Sequence, residues 1–175
     1  PRRGHCAGPD HRPIDMSALA WSEALALKQP RMDQTHREFV DLLQGLGAAH
    51  AAGAADFDTL LQGLQLHTEA HFAQEERWMA DIGFAPANCH SMQHAQVLKV
   101  LAEVRRAMAD GGDREVIAVL VDELGKWFVA HAQMMDAALA QIMVERGYDP
   151  DTGRLLNPVA ADAQPITGCG GSSCS

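Results

Sequence analysis

The sequence predicts an all-α protein, an antiparallel up-down-up-down four-helix bundle, and three observations predict it. Aromatic residues make up only 5% of the chain, and its apolar positions are dominated by Ala, Leu, Val and Met, a composition that favours helices. No run of strongly alternating β-branched residues signals a strand. Four helical segments are separated by short connections at 52–56, 82–85 and 110–113, and short connections make neighbouring helices antiparallel. The 175 residues suffice for one domain with a buried core and are too few to expect two.

The first helix is expected over 32–51, with Asp33 at its start as the N-cap. The second is expected over 57–81, where Gly83 suits the chain reversal after its end. The third runs over 86–109 with Pro86 in its first turn, where a missing N–H costs nothing, and the fourth over 114–146, closed by Gly147. The bundle therefore occupies 16–147. Residues 1–15 are rich in Pro, Arg and Gly and precede Met16, the expected natural start; they read as a disordered or non-native extension. From 148 to 175 Pro, Gly, Asp and Ser accumulate, as in a flexible tail, which ends in a C-x4-C pair, Cys169 and Cys174.

His71-Phe-Ala-Gln-Glu75 and His90-Ser-Met-Gln-His94 each place two potential metal ligands four residues apart, on one face of a helix. One such pair carries little weight, since solvated helices acquire them by chance. Two pairs on consecutive helices, with His36 on the helix before and His131 on the helix after, are hard to place on a solvated surface. Inside a core they need partners, because buried imidazoles and carboxylates are costly without them. Imidazole nitrogen combined with carboxylate oxygen suits iron and other first-row metals. A carboxylate can span two ions while each imidazole ends on one. The set His36, His71, Glu75, His90, His94, His131 and Asp136 thus describes a di-metal site in the bundle core.

His131 and Asp136 break the spacing. Five residues apart in a regular helix, they would diverge by about 140°. A π turn closes i to i+5 and returns both to one face, so a local widening is predicted between Lys126 and Asp136.

From Trp21 to Gln141 the chain resembles the hemerythrins, and more closely the single-domain bacterial ones, the bacteriohemerythrins. The resemblance is carried by Trp21-Ser22, Asp33-Gln-Thr-His36, His71-Phe72-Ala-Gln-Glu75-Glu76, His90-Ser-Met-Gln-His94 and Trp127-Phe128-Val-Ala-His131 followed by Asp136. It implies two iron ions, one held by His90, His94 and His131, the other by His36 and His71. Glu75 and Asp136 would bridge them, with an oxo or hydroxo group between. It also implies dioxygen as the partner, bound at the iron with fewer protein ligands. Phe128, one turn before His131, is expected to wall the oxygen pocket, with His67 and Trp127 lining it. At position 67 the family usually has an aromatic residue, so His67 reads as a packing or pocket residue and not as a ligand.

Other residues have plainer readings. Phe72, Trp78, Met79, Trp127 and Phe128 belong first to the core. Glu76 is expected at the surface, and His5, His11 and His50 in solvent. Cys89 reads as a passive free thiol beside His90, and Cys169 and Cys174 are open between a metal or redox role and none. No disulfide framework and no signal-peptide pattern is evident, which makes the cytoplasm the expected location.

A net charge of −9, a sequence pI near 5.3 and the absence of a Lys/Arg stripe argue against nucleic acid and anionic membrane as partners. No apolar run approaches the roughly 20 residues of a membrane span. The functional expectation is reversible oxygen binding for storage or delivery, without enzymatic turnover, alongside an electron donor or an oxygen-consuming enzyme. A redox or oxygen sensor and a di-iron reductase of peroxide, oxygen or nitric oxide are the alternatives.

Overall fold

The structure, a computed structural model, describes residues 19–54, 57–160 and 162–168. Four long helices follow one another up and down: α1 (Pro30–Ala51), α2 (Asp58–Asp81), α3 (Cys89–Ala109) and α4 (Glu115–His131). A π turn at Ala132–Asp136 carries α4 on into α5 (Ala137–Glu145). The widening predicted between Lys126 and Asp136 is therefore present, at its C-terminal end.

Two helix starts differ from expectation, in each case because another side chain does the capping. Gln29, not Asp33, caps α1: its Oε1 accepts from the Met32 amide at 2.7 Å, and Pro30 takes the first helical position. Asp33 is buried in the first turn and accepts from the Leu27 amide at 2.7 Å, which pins the incoming chain. α3 starts at Cys89, three residues beyond Pro86, because Asn88 and Ser91 form a reciprocal capping box. The Ser91 amide donates to Asn88 Oδ1 at 3.0 Å and the Asn88 amide to Ser91 Oγ at 3.1 Å.

The incoming segment is tied to both outer helices. Leu19 packs over Gly125 of α4, its carbonyl accepts from Gln44 Nε2 at 2.7 Å, and the Arg37 guanidinium lies 4.5 Å above the Trp21 ring.

Two apolar clusters fill the bundle. The larger includes Phe39, Val40, Leu43, Leu61, Leu64, Phe72, Val97, Leu101, Leu124 and Phe128. The smaller includes Met32, Trp78, Met79, Ile82, Phe84, Leu139, Ala140, Met143 and Tyr148. Each fully buried large side chain contributes about 1.5–3 kcal/mol relative to leaving it in water. The order along each helix matters for the site. On α1, His36 lies between Met32 and Phe39; on α2, Glu75 lies between Phe72 and Trp78; on the last helix, His131 and Asp136 lie between Phe128 and Leu139. The polar residues thus occupy a layer between the two clusters.

Beyond Gly147 the chain is not the free tail expected from 148; as far as Gly168, the described residues are docked. Tyr148–Asp149 pairs antiparallel with Arg154–Leu155, and the Tyr148 hydroxyl donates to Asp81 Oδ2 at 2.6 Å. Ile166 bridges Phe84 in the α2–α3 connection: the Ala85 amide donates to the Ile166 carbonyl at 2.9 Å, and the Ile166 amide to the Gly83 carbonyl at 3.0 Å. Tyr148 and Ile166 join the smaller apolar cluster, and their burial outweighs the loop-like composition around them. Gly83 permits this close approach. Its φ is 94°, and a Cβ there would lie 3.2 Å from a Val159 methyl.

Cys89 corrects a second expectation. It is not a free thiol but disulfide-bonded, and its Sγ lies 3.7 Å from the Thr167 carbonyl oxygen of the docked strap. Cys169, Cys174 and residues 1–18 lie outside the described residues.

Candidate metal centre

The layer between the clusters brings together all seven residues singled out by spacing. His36 comes from α1, His71 and Glu75 from α2, His90 and His94 from α3, His131 from the end of α4, and Asp136 from the π turn; every one is buried. The π turn is what returns Asp136 to the face of His131, with Asp136 Oδ1 3.2 Å from His131 Nε2.

The two carboxylates divide their oxygens between two sets of imidazoles. Glu75 Oε1 lies 3.1 Å from His71 Nε2 and 3.9 Å from His36 Nε2, whereas Oε2 lies 3.3 Å from His90 Nε2 and 3.4 Å from His94 Nε2. Asp136 repeats the pattern, with Oδ2 3.2 Å from His36 Nε2 and Oδ1 3.1 Å from His90 Nε2. Two groups result, each with ligand atoms close enough to hold one metal ion: Glu75, His90, His94, His131 and Asp136 in one, and His36, His71 and Glu75 in the other.

Protein hydrogen bonds alone do not satisfy this layer. His131 Nε2 faces His90 Nε2 at 3.1 Å and His94 Nε2 at 3.3 Å, three ring nitrogens aimed at one point. His36 Nε2, Glu75 Oε2 and both Asp136 oxygens are buried without a hydrogen-bond partner. Buried polar atoms in this state are costly unless something else takes their lone pairs. A pair of cations does so, and the nitrogen and oxygen donors fit first-row metals.

The charges are mutually shaped. Burial pushes the Glu75 carboxyl up, but His71, His90 and His94 together hold it well below the usual range. Burial and the charge of Glu75 push Asp136 up, yet the facing imidazoles of His131, His36 and His90 leave its carboxyl below the ordinary value. Burial alone would lower His90; the facing carboxylates of Asp136 and Glu75 overcome it and raise the imidazole to about 9. His71 is also raised, burial being outweighed by Glu75, whereas for His94 burial prevails and the shift is downward.

A pH prediction follows with a definite sign. In the metal-free chain His90 carries a proton at neutral pH that an incoming metal must displace. Titration with a divalent metal ion in weak buffer is expected to release protons near neutrality, and this release should decline as the pH rises through about 9. Constant release across that interval would contradict it. Because the folded pKa lies above the ordinary 6.5, the contribution of His90 to metal-free stability is full below 6.5 and lost as pH rises through about 9.

The surrounding residues include some the sequence reading missed. Gln93 accepts from His131 Nδ1 through Oε1 at 2.9 Å and fixes that ring, a role open to it because it lies three residues after His90 on nearly the same face. Glu76 is exposed, as expected of a surface position, and its Oε1 comes within 3.5 Å of His94 Nδ1. Phe72 stacks on His94 with centroids 3.8 Å apart. His50 is half-buried, stacked on Phe57, and not in free solvent.

Of the three residues expected at an oxygen pocket, Phe128 and His67 lie beside rings of the smaller ligand group and Trp127 beside the larger. Phe128 meets the His36 ring edge-on at 5.1 Å, and His67 lies 6.3 Å from the His71 ring, donating from Nε2 to the Thr35 carbonyl at 3.1 Å. Trp127 stacks on His131 at 4.4 Å, beside the other group. Among the described residues, no helix is long and apolar enough to cross a membrane.

Residues 29–142 match the family model described as Hemerythrin HHE cation binding domain. The chain is 40% identical over 134 residues to a bacteriohemerythrin of Ralstonia nicotianae, covering 77% of this chain and 95% of the relative. It is 28% identical over 126 residues to a bacteriohemerythrin of Stenotrophomonas maltophilia, covering 71% and 81% of the two chains. A bacteriohemerythrin of Aquifex aeolicus is 28% identical over 112 residues, 63% of this chain and 86% of that protein. No solved structure matches significantly. The matched span contains the buried histidine and carboxylate layer in full, and the chain belongs to the hemerythrin family.

Proposed function

We propose that the chain binds dioxygen reversibly at a non-haem di-iron centre, as a carrier or store that delivers to an oxygen-consuming enzyme and is kept ferrous by an electron donor. His90, His94 and His131 would hold one iron and His36 and His71 the other, with Glu75 and Asp136 each placed to offer one carboxylate oxygen to either side. The observation that carries this reading is the division of each carboxylate's two oxygens between the two imidazole sets. When bound, two ferrous ions supply the two electrons that take dioxygen to the peroxide level and recover them on release.

The protein side of this activity is positional. Three imidazoles surround one metal position and two the other, with both carboxylates reaching each, so the second is the one with room for a small ligand. Phe128, edge-on to His36 and stacked on Phe39 at 5.1 Å, covers that side with hydrocarbon. An apolar cover excludes water and anions that would promote irreversible oxidation. Gln93 orients His131 through its second ring nitrogen.

The test is to load the protein anaerobically with ferrous iron, admit air, then remove oxygen while following the visible charge-transfer band and the iron content. Two irons per chain and a band that appears and fades over repeated cycles are expected. A band that persists after deoxygenation would reject the carrier in favour of a sensor or a reductase. In the same assay Phe128→Ala is expected to hasten loss of reversibility while costing about 3–5 kcal/mol of stability. Phe128→Leu should fold better and shift in the same direction. Unchanged oxidation in both would remove Phe128 from the pocket.

A redox sensor is the second reading. One observation favours it: Cys89, the first residue of the helix that carries His90 and His94, is in a disulfide.

A further inference from the structure

α3 and α4 pack against each other less closely than α1 with α2 or α2 with α3. The described residues leave a groove of about 660 Å³ between them, a size within the range of about 300–1,000 Å³ that small-molecule sites occupy. Its walls are apolar: Val97, Val100 and Val104 come from α3, Val116 and Leu120 from α4. From Gln93 to Val104 on one side, and from Val116 to Trp127 on the other, it runs for roughly 16 Å at a rise of about 1.5 Å per residue. The end next to the metal centre is different. Gln93 holds His131 Nδ1 through its Oε1 at 2.9 Å, which leaves Nε2 as a donor there. Trp127 is stacked on His131 at 4.4 Å, and Glu123 stands one helical turn before it on the exposed rim. Asp122 and Glu123 share a single cation, Lys126, at 2.6 and 3.0 Å, so this rim keeps a negative balance.

We propose that this groove binds a hydroquinone carrying an apolar tail, and that electrons enter the metal centre from it. The proposal names the class of electron donor that the di-iron reading requires, and it rests on that reading. Each part of the ligand has its counterpart. The tail follows the valine walls, where water is excluded. The flat head lies against the Trp127 indole. One hydroxyl donates to the Glu123 carboxylate, and the other oxygen accepts from Gln93 Nε2. A fatty acid would suit the same walls, but its carboxylate would meet a rim of its own charge.

Oxidation of the hydroquinone to the quinone breaks its two O–H bonds and releases two electrons and two protons. The electrons pass one at a time through the Trp127–His131 stack and take two ferric ions to ferrous. The protons go to solvent, one of them by way of Glu123, which is exposed. Trp127 thus joins the groove to the ligand group formed by Glu75, His90, His94, His131 and Asp136.

Decylubiquinone is the probe, added to the full-length protein. In the zinc-loaded chain, where the metal is not reduced, the quinone should quench tryptophan fluorescence. Trp127→Phe should remove most of that quenching, since Trp21 and Trp78 do not line the groove. Val100→Phe fills the groove from a half-buried wall position and should weaken Kd about tenfold, the effect of leaving roughly two tail methylenes in water. Val119→Glu, on the exposed rim, should act in the same direction without touching the interior. In the ferric iron-loaded chain the reduced probe should restore the ferrous form, and its rate relative to dithionite, below saturation, should fall about tenfold in Val100→Phe. Absent quenching, quenching that persists in Trp127→Phe, or a relative rate that Val100→Phe leaves unchanged would overturn the proposal. So would a dimer on gel filtration that Val100→Phe dissociates, because a second copy of the chain would then occupy the groove. Reduction by the probe as expected, with an oxygen band that does not fade on deoxygenation, would reject the carrier and leave the groove as the point of electron entry.

Discussion

Glu75→Ala is expected to lower the metal content from two ions per chain to none. Glu75 belongs to both ligand groups and, as for Asp136, each of its oxygens faces a different imidazole set. Its removal takes a ligand and a negative charge from both positions at once, and exposes each cation to its neighbour without the shared carboxylate. It also leaves His71, His90 and His94 without the group that balances their charge in the buried layer. By contrast, His36→Ala touches only the smaller group and should leave one ion. Metal analysis after gel filtration, with circular dichroism to show that the helices persist, measures both. Glu75→Gln nearly conserves volume and should behave like the alanine variant, which separates lost coordination from lost packing. Two ions retained in both Glu75 variants would defeat the site as described.

Insertion of one alanine between Gln133 and Met134 should be nearly as damaging, and deletion of Met134 nearly silent. The π turn already holds one residue more than a regular helix would between His131 and Asp136. Deleting Met134, whose side chain is 62% exposed, lets the turn relax to regular α-helix. Asp136 then falls four residues after His131 on the same face, and α5 keeps its register. A further residue has no such outlet. It rotates Asp136 by about 100° and carries Leu139, Ala140 and Met143 out of the smaller cluster. The loss is about 2–5 kcal/mol for each large side chain displaced. The bridging carboxylate is lost with them. Metal content and thermal midpoint read the asymmetry; a deletion as costly as the insertion would show that the π turn is not an absorbable extra residue.

Much of the site was legible because metal ligation uses side chains whose helical spacing is local. His71 with Glu75 and His90 with His94 are single-turn relations, and the awkward five-residue step from His131 to Asp136 foretold the π turn at Ala132–Asp136. Helix starts were less legible. Asp33 looks like a cap in sequence, yet Gln29 caps α1 because Pro30 can begin the helix and the Gln side chain reaches the Met32 amide. Glu76 is at the surface as read, because one step from Glu75 turns it about 100° around the helix, and its side chain is long enough to come within 3.5 Å of His94 Nδ1 as well.

Composition misled most clearly beyond Gly147. Pro, Gly, Asp and Ser describe a flexible segment on average, but two anchors, Tyr148 and Ile166, suffice to dock it, and neither reveals its partner to a local reading. Cys89 is a similar case, since nothing next to it in the chain announces its disulfide or the approach of the Thr167 carbonyl. The order of residues along the helices settled the bundle, the ligand types and their faces, because periodicity of 3.6 residues converts spacing into direction. Which carboxylate oxygen meets which imidazole, which side chain covers the smaller ligand group and where the strap lands were settled by packing between segments far apart in sequence. Burial free energy depends on those long-range contacts, and no local spacing encodes them.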